Sequence, residues 1–261
     1  MLQPQFVQVV REGRLTVITL DRPEALNALH APAHHELAAV FDDFAADPEQ
    51  WVAIVTGGGS RAFCAGNDLK HRAAAGRQTM PASGFGGMTA RFDLDKPVIA
   101  AVNGLALGGG FELALACDLI VADESAEFAL PEVGLGLAAL ACGLQRLPQH
   151  IGLKAAMAMA VTGRLVPAFE LQRLGAVNEV TPVGQAVDGA RRWAAEILRA
   201  APLAVRATKQ VMMRGLEAPT IAAGWMQQES LPAVLAMRAS QDAIEGPLAF
   251  AEHREPRWQA Q

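Results

Sequence analysis

Short β-branched runs alternate along this chain with longer stretches of helical periodicity, and that alternation restricts the fold more than any other feature. "LTVITLD" (Leu15–Asp21), bounded by Gly13 and Pro23, predicts a strand. "ALHAPAHHELAAVFDDFAAD" carries Leu37, Val40, Phe41 and Phe44 at helical spacing and predicts a helix. "WVAIVTGGG" reads as a second strand closed by glycines. "PVIAAVNG" reads as a third, followed by Gly108–Gly110 and a helix to about Cys117. "DLIVADESAEFALPEVGLG" reads as two short strands around a polar turn. Strands that alternate with helices pack as a layered α/β core with parallel strands.

From about Leu144 the character changes. "LKAAMAMAVTG", "AFELQRLGA", "VGQAVDGARRWAAEILRA", "PLAVRATKQVMMRGLE" and "GWMQQESLPAVLAMRAS" are helical patterns punctuated by proline and glycine. The boundary is expected near residue 195, dividing a core (1–195) from a helical carboxy-terminal region (196–261). No flexible linker separates them, so the second is expected to be a packed appendage. A length of 261 residues, 51% of them apolar and 19% charged, is enough for a substantial core and argues against disorder.

A net charge of −5 without a basic stripe gives no electrostatic case for nucleic acid or for an anionic membrane. No run approaches the roughly 18 uninterrupted apolar residues of a membrane span. The start, "MLQPQFVQVVREGR", lacks the build of a signal or transit peptide. Cys64, Cys117 and Cys142 are odd in number and show no metal-ligand spacing. A reducing cytoplasm and no metal site are therefore expected.

Gly108–Gly110 closes a strand-to-helix turn, where the first helical N–H groups lack intrahelical acceptors and the helix dipole adds partial positive charge. Such a turn suits an anion or a developing oxyanion, although a lone triplet is more often only a tight connection. A second glycine-bearing turn strengthens the chemical reading. In "FCAGNDLK" (Phe63–Lys70), Gly66 permits a backbone angle that aims the N–H of Asn67 outward. Two N–H groups from separate loops can flank one carbonyl oxygen. Asp68 has a plainer role open to it, as the cap of the following helix.

Glu112 in "FELALA" and Glu132 in "LPEVGLG" are both set among apolar residues, where an isolated charge is expensive. Facing one another, they would repel and raise one pKa, giving an acid and a base at neutral pH. That pair suits adding or removing water. "GGGS" (Gly57–Ser60) lacks the ending of a phosphate loop, and no Gly-x-Ser-x-Gly elbow exists. His34 and His35 are adjacent and cannot share a helix face as a metal pair. Cys142 has two readings open to it, a place near the substrate or, the plainer one, a buried free thiol.

Taken together, "DRPEALNAL", "FCAGNDLK", "KPVIAAVNGLALGGGFELALACD", "FALPEVGLG", "QRLPQHIG", "LQRLGAVNEV" and "DAIEGPLAFAEHREPRW" resemble the enoyl-CoA hydratase/isomerase (crotonase) superfamily from about Leu20 to Trp258. The resemblance implies a crotonase-like spiral of ββα units with a helical carboxy-terminal region that trimerises, usually into a dimer of trimers. It implies an acyl-CoA thioester substrate, coenzyme A being part of that substrate, with no separate cofactor. By position, the N–H groups of Asn67 and Gly109 match the oxyanion hole, and Glu112 and Glu132 the acid/base pair of the hydratases. Ala25, Leu26, Ala65, Asp68, Leu69 and Lys70 match the CoA path.

Keeping both glutamates favours a hydratase over an isomerase that moves a double bond with one. "GNDLK", "GFGGMT", "GGGFELALA" and "FALPE" look most like the carnitinyl-CoA dehydratase (crotonobetainyl-CoA hydratase) subgroup, with acyl specificity expected mainly from residues 71–92. After Glu132 the chain departs from the family: Ala138–Cys142 stand where many members carry proline and glycines. Glu24 and His253 replace frequent basic residues, leaving CoA phosphate contacts to Lys70, Arg22 or a neighbouring subunit.

Overall fold

A computed structural model describes residues 4–75 and 79–261. Residues 1–3 of the amino-terminal stretch and 76–78 of the 71–92 stretch lie outside those described. The strands are β1 (Val7–Glu12), β2 (Leu15–Leu20), β3 (Val52–Gly57), β4 (Ala62–Cys64), β5 (Val98–Val102), β6 (Leu105–Leu107), β7 (Leu119–Asp123), β8 (Glu127–Ala129), β9 (Val166–Pro167) and β10 (Glu179–Thr181). The helices are α1 (Ala31–Ala46), α2 (Leu69–Ala75), α3 (Gly109–Ala116), α4 (Gly143–Ile151), α5 (Leu153–Thr162), α6 (Ala168–Leu174), α7 (Ala186–Leu198), α8 (Pro202–Glu217), α9 (Ile221–Gln228), α10 (Pro232–Ala239) and α11 (Asp242–Ala251).

Two sheets share the strands. The larger runs β1-β2-β3-β5-β7-β10 and the smaller β4-β6-β8-β9. The β1/β2 and β8/β9 pairs are antiparallel and the remaining pairs parallel. Successive strands step from one sheet to the other, β3 to β4, β5 to β6 and β7 to β8. Helices α2 and α3 follow the first two pairs. That repeating step is a ββα spiral, as the resemblance implied.

The sequence of β3 shows why the pattern looked continuous rather than alternating. Ala53 and Val55 face a core containing Leu37, Phe41, Phe63, Phe111 and Phe128. Val52 and Ile54 face the opposite side, packed with Ile99 and Val121 under Ala186, Ala190 and Ala194 of α7. A strand covered on both faces is apolar at every position. Residue 195 lies inside α7, whose buried face packs on this sheet. Beyond it, Ala207, Ala233 and Val234 form a small separate core of α8 and α10. Two ion pairs join α8 to the spiral: Arg206 to Asp95 at 2.9 Å and Lys209 to Asp118 at 2.7 Å.

Three differences from the sequence expectation have local causes. The three-residue strands β4 and β6 and the two-residue β9 are too short to show a period. β10 interrupts the helical third. "GWMQQESLPAVLAMRAS" divides into α9 and α10, because Pro232 takes the first helical position and starts a new helix.

Candidate active site

Two turns converge at the amino-terminal end of α3. In the first, Asn67 forms an isolated parallel bridge with Leu29. The N–H of Leu29 donates to the Gly66 carbonyl and the N–H of Asp68 to the Leu29 carbonyl, both at 2.8 Å. A parallel bridge of this kind leaves the polar groups of the central residue, Asn67, pointing away from the partner strand. Gly66 makes the turn at φ +90°, and a Cβ there would lie 2.6 Å from the Leu107 carbonyl oxygen and 3.2 Å from the Gly109 nitrogen. The two turns are therefore in contact. In the second, Gly109 is the first residue of α3, so its N–H has no intrahelical acceptor. Neither the Asn67 nor the Gly109 N–H donates to another group among the described residues.

Glu112 follows within the first turn of α3 and is 3% exposed. Its Oε1 accepts the N–H of Ala141 at 2.8 Å and of Gly143 at 2.9 Å. Gly143 sits so close that a Cβ would meet Glu112 Cγ at 2.7 Å. Burial pushes the Glu112 carboxyl up to about 7, with the Gly143 N–H opposing and the Glu132 charge adding to the rise. Glu132 lies on a 3-10 turn, Pro131–Leu135. Burial raises its pKa also, against its own backbone N–H. Its Oε2 is buried with no hydrogen-bond partner among the described residues. A Cβ on Gly108 (φ +52°) would be 2.5 Å from Glu132 Oε1, so that carboxylate rests on the backbone one residue before Gly109.

Asn67, Gly109, Glu112, Glu132, Ala65 and Leu69 line one cleft of about 450 Å³. Ala25 lies in a 3-10 turn, Pro23–Ala25, and Leu26 beside it lines an adjoining depression with Asn27 and Gly58. The N–H of Ala65 donates to the Leu26 carbonyl at 3.0 Å and ties the two together. Asp68 and Lys70 do not line the cleft. Asp68 caps α2 through the His71 N–H at 3.0 Å and pairs with Arg22 at 3.1 Å. Arg22 also donates to the Ala28 carbonyl, so it is already engaged, whereas Lys70 is exposed.

Of the other lining residues, the sequence drew attention only to the Ala138–Cys142 run and, as a stretch, to residues 71–92. Phe85, Thr89, Leu137 and Ala138 line the cleft, and Ala141 and Gly143 clamp Glu112. "GFGG" (Gly84–Gly87) was the available signal for Phe85, since three of its residues take positive φ. Of the two readings of Cys142, the structure favours the place near the cleft over full burial: the residue lines the cleft half-buried at φ +70°. It occupies the bend between the two N–H groups that hold Glu112.

Two N–H groups that donate to no other group among the described residues, those of Asn67 and Gly109, thus line one cleft with two carboxyls of raised pKa. The arrangement can polarise a carbonyl while moving protons next to it.

Comparisons with known proteins show which family the chain is similar to. The model of the enoyl-CoA hydratase/isomerase family matches residues 11–261. The chain is 45% identical over 261 residues to a carnitinyl-CoA dehydratase of Proteus mirabilis, covering 97% of this chain and 98% of that one. A crystal structure of an enoyl-CoA hydratase from Mycobacterium tuberculosis H37Rv superposes with a TM-score of 0.92 at 41% identity, over 98% and 99% of the two chains. A carnitinyl-CoA hydratase from Mycobacterium avium superposes with a TM-score of 0.78, also at 41% identity, over 99% and 100%.

Proposed function

The chain belongs to the enoyl-CoA hydratase/isomerase family, and from that premise we propose that it is a hydro-lyase adding water reversibly to the double bond of a 2-enoyl-CoA. The observation that carries the proposal is the pair of carboxyls, buried Glu112 and half-buried Glu132, beside the outward N–H groups of Asn67 and Gly109.

The thioester carbonyl oxygen accepts from Asn67 and Gly109, so negative charge can build on it as bonding at C3 begins. Water is held between the glutamates. One carboxylate takes a proton from it as its oxygen bonds to C3, and the other carboxyl delivers a proton to C2. The reverse sequence eliminates water. A Glu112 carboxyl titrating at about 7 is ready for either role at neutral pH. Ala65 and Leu69 continue the cleft toward Leu26 and Ala25, the path assigned to the pantetheine and nucleotide of coenzyme A. Asp68 contributes to that path by holding α2 and Arg22 in place, and exposed Lys70 is available to phosphate.

The names of the relatives at 45% identity favour a second reading within the same chemistry, a carnitinyl-CoA dehydratase acting on an acyl group with a cationic end. Self-association as a trimer or dimer of trimers, through residues 196–261, belongs to the same proposal. Exposed apolar side chains within that region, among them Leu216, Ile221, Trp225, Met226 and Phe250, support contact between copies. No described helix is long and apolar enough to cross a membrane. A cytoplasmic location is proposed from the unpaired cysteines. Hydration of crotonyl-CoA and crotonobetainyl-CoA side by side tests the function. Turnover of either supports a hydratase and their ratio assigns the acyl end; binding without turnover of both removes the hydratase reading.

A further inference from the structure

His34 is wholly buried on α1 although nothing in the proposed reaction uses it. Its Nδ1 accepts the N–H of Gly86 at 3.0 Å, so the ring proton is on Nε2, and Nε2 has no partner among the described residues. Burial, with His30 and His35 adding, pushes its pKa down to about 4 and keeps the ring neutral. A buried donor left unpaired costs about 1–3 kcal/mol, and an apolar side chain here would move that cost from Nε2 to the buried Gly86 N–H. The ring's contribution is therefore what its other nitrogen holds.

What it holds is the wall of the cleft. Gly84, Gly86 and Gly87 take φ of +81°, +59° and +66°, which press this turn between α1 and α3. A Cβ on Gly87 would lie 2.4 Å from the Ala38 nitrogen, and one on Gly86 3.3 Å from the Leu113 methyls. Phe85, between them, packs against His34 with ring centroids 4.5 Å apart and lines the cleft. Its ring covers Gly109, where a Cβ would meet ring atoms at 2.5 Å. The turn is also held at its far end, where Arg146 donates to the Thr89 carbonyl at 2.8 Å.

We propose that His34 is a positioning residue: by accepting the Gly86 N–H it seats the Phe85 ring on Gly109 and so fixes the direction of the Gly109 N–H toward the thioester oxygen. The proposal rests on the oxyanion role given to Gly109 above. His34→Leu removes the acceptor at similar volume. His34→Asn keeps one, because its Oδ1 reaches the place of Nδ1.

The experiment compares both variants and Phe85→Leu with the wild type on crotonyl-CoA, measuring kcat, KM, thermal midpoint and the infrared carbonyl stretch of the bound thioester. His34→Leu is expected to lower kcat about tenfold to a hundredfold with KM little changed. Its bound carbonyl should shift toward the free thioester. His34→Asn should restore both, and His34→Leu combined with Phe85→Leu should be less than additive. Wild-type kcat and carbonyl frequency in His34→Leu would overturn the proposal. So would equal losses in the Leu and Asn variants at wild-type thermal midpoints. If His34→Leu does not fold, Phe85→Leu alone decides, an unchanged carbonyl frequency being the refuting result. The carbonyl stretch reports hydrogen bonding whether or not water is added. A wild type that binds crotonyl-CoA without hydrating it therefore removes the hydratase reading while leaving the His34 test intact.

Discussion

Replacing Glu112 by Gln has a consequence for stability that is separate from catalysis. Burial, opposed by the Gly143 N–H and reinforced by Glu132, lifts the Glu112 carboxyl from 4.5 to about 7. The unfolded chain titrates at the ordinary value, so the folded protein holds this proton more tightly. Its stabilising contribution is complete below about pH 4.5 and is lost as the pH rises through about 7. The interval corresponds to about 3 kcal/mol. A glutamine has no proton to lose, and its amide oxygen can still accept from Ala141 and Gly143. The stability of Glu112→Gln relative to wild type should therefore rise by about 3 kcal/mol between pH 4.5 and pH 8. Glu132 titrates in both proteins and largely cancels from the difference. Denaturant unfolding of both proteins at several pH values and one fixed concentration measures it. Stability curves that run parallel across that interval would refute the burial of an ionisable Glu112 in its clamp.

Three further substitutions probe the site. Gly108→Ala places a Cβ 2.5 Å from Glu132 Oε1 at φ +52°, so kcat should fall about a hundredfold or more and stability by about 1–3 kcal/mol, read by steady-state kinetics and unfolding. Asn67→Ala should leave kcat within about threefold of wild type, because the proposed donor is the backbone N–H; a hundredfold loss would assign the donor to the side chain. Cys142→Gly relieves a left-handed conformation at φ +70° worth about 1–2 kcal/mol, offset by about 0.4–1 kcal/mol of extra unfolded-chain freedom. A rise of about 1–3 °C in thermal midpoint with activity retained is the expected result.

Gly109, Asn67 and the two glutamates were legible in the sequence because each depends on a local pattern. A strand feeding a glycine turn and a helix sets the direction of an N–H, and a carboxylate in "FELALA" is conspicuous whatever surrounds it. The clamp on Glu112 was not legible, since Ala141 and Gly143 carry no distinctive side chain and lie about thirty residues further on. The same holds for His34 and Phe85, 51 positions apart, which meet only once α1 and the Gly84–Gly87 turn pack together. Asp68 shows the opposite case: its capping role was readable from the turn and is observed, while its pairing with Arg22, 46 residues earlier, is tertiary. The two-sheet spiral escaped composition and periodicity for a related reason. β4, β6 and β9 are two or three residues long and are defined by their neighbours rather than by their own sequence.

The central claim is that Glu112 and Glu132 together add solvent water to a 2-enoyl thioester. Its most direct test follows crotonyl-CoA in ¹⁸O-labelled water with the wild type and with Glu132→Gln, by loss of enoyl absorbance and by mass of the product. The account predicts one labelled oxygen in a 3-hydroxyacyl product from the wild type, formed at least about a hundredfold more slowly by the variant. Undiminished turnover by Glu132→Gln, or a wild-type product that has moved its double bond without taking up oxygen, would contradict it.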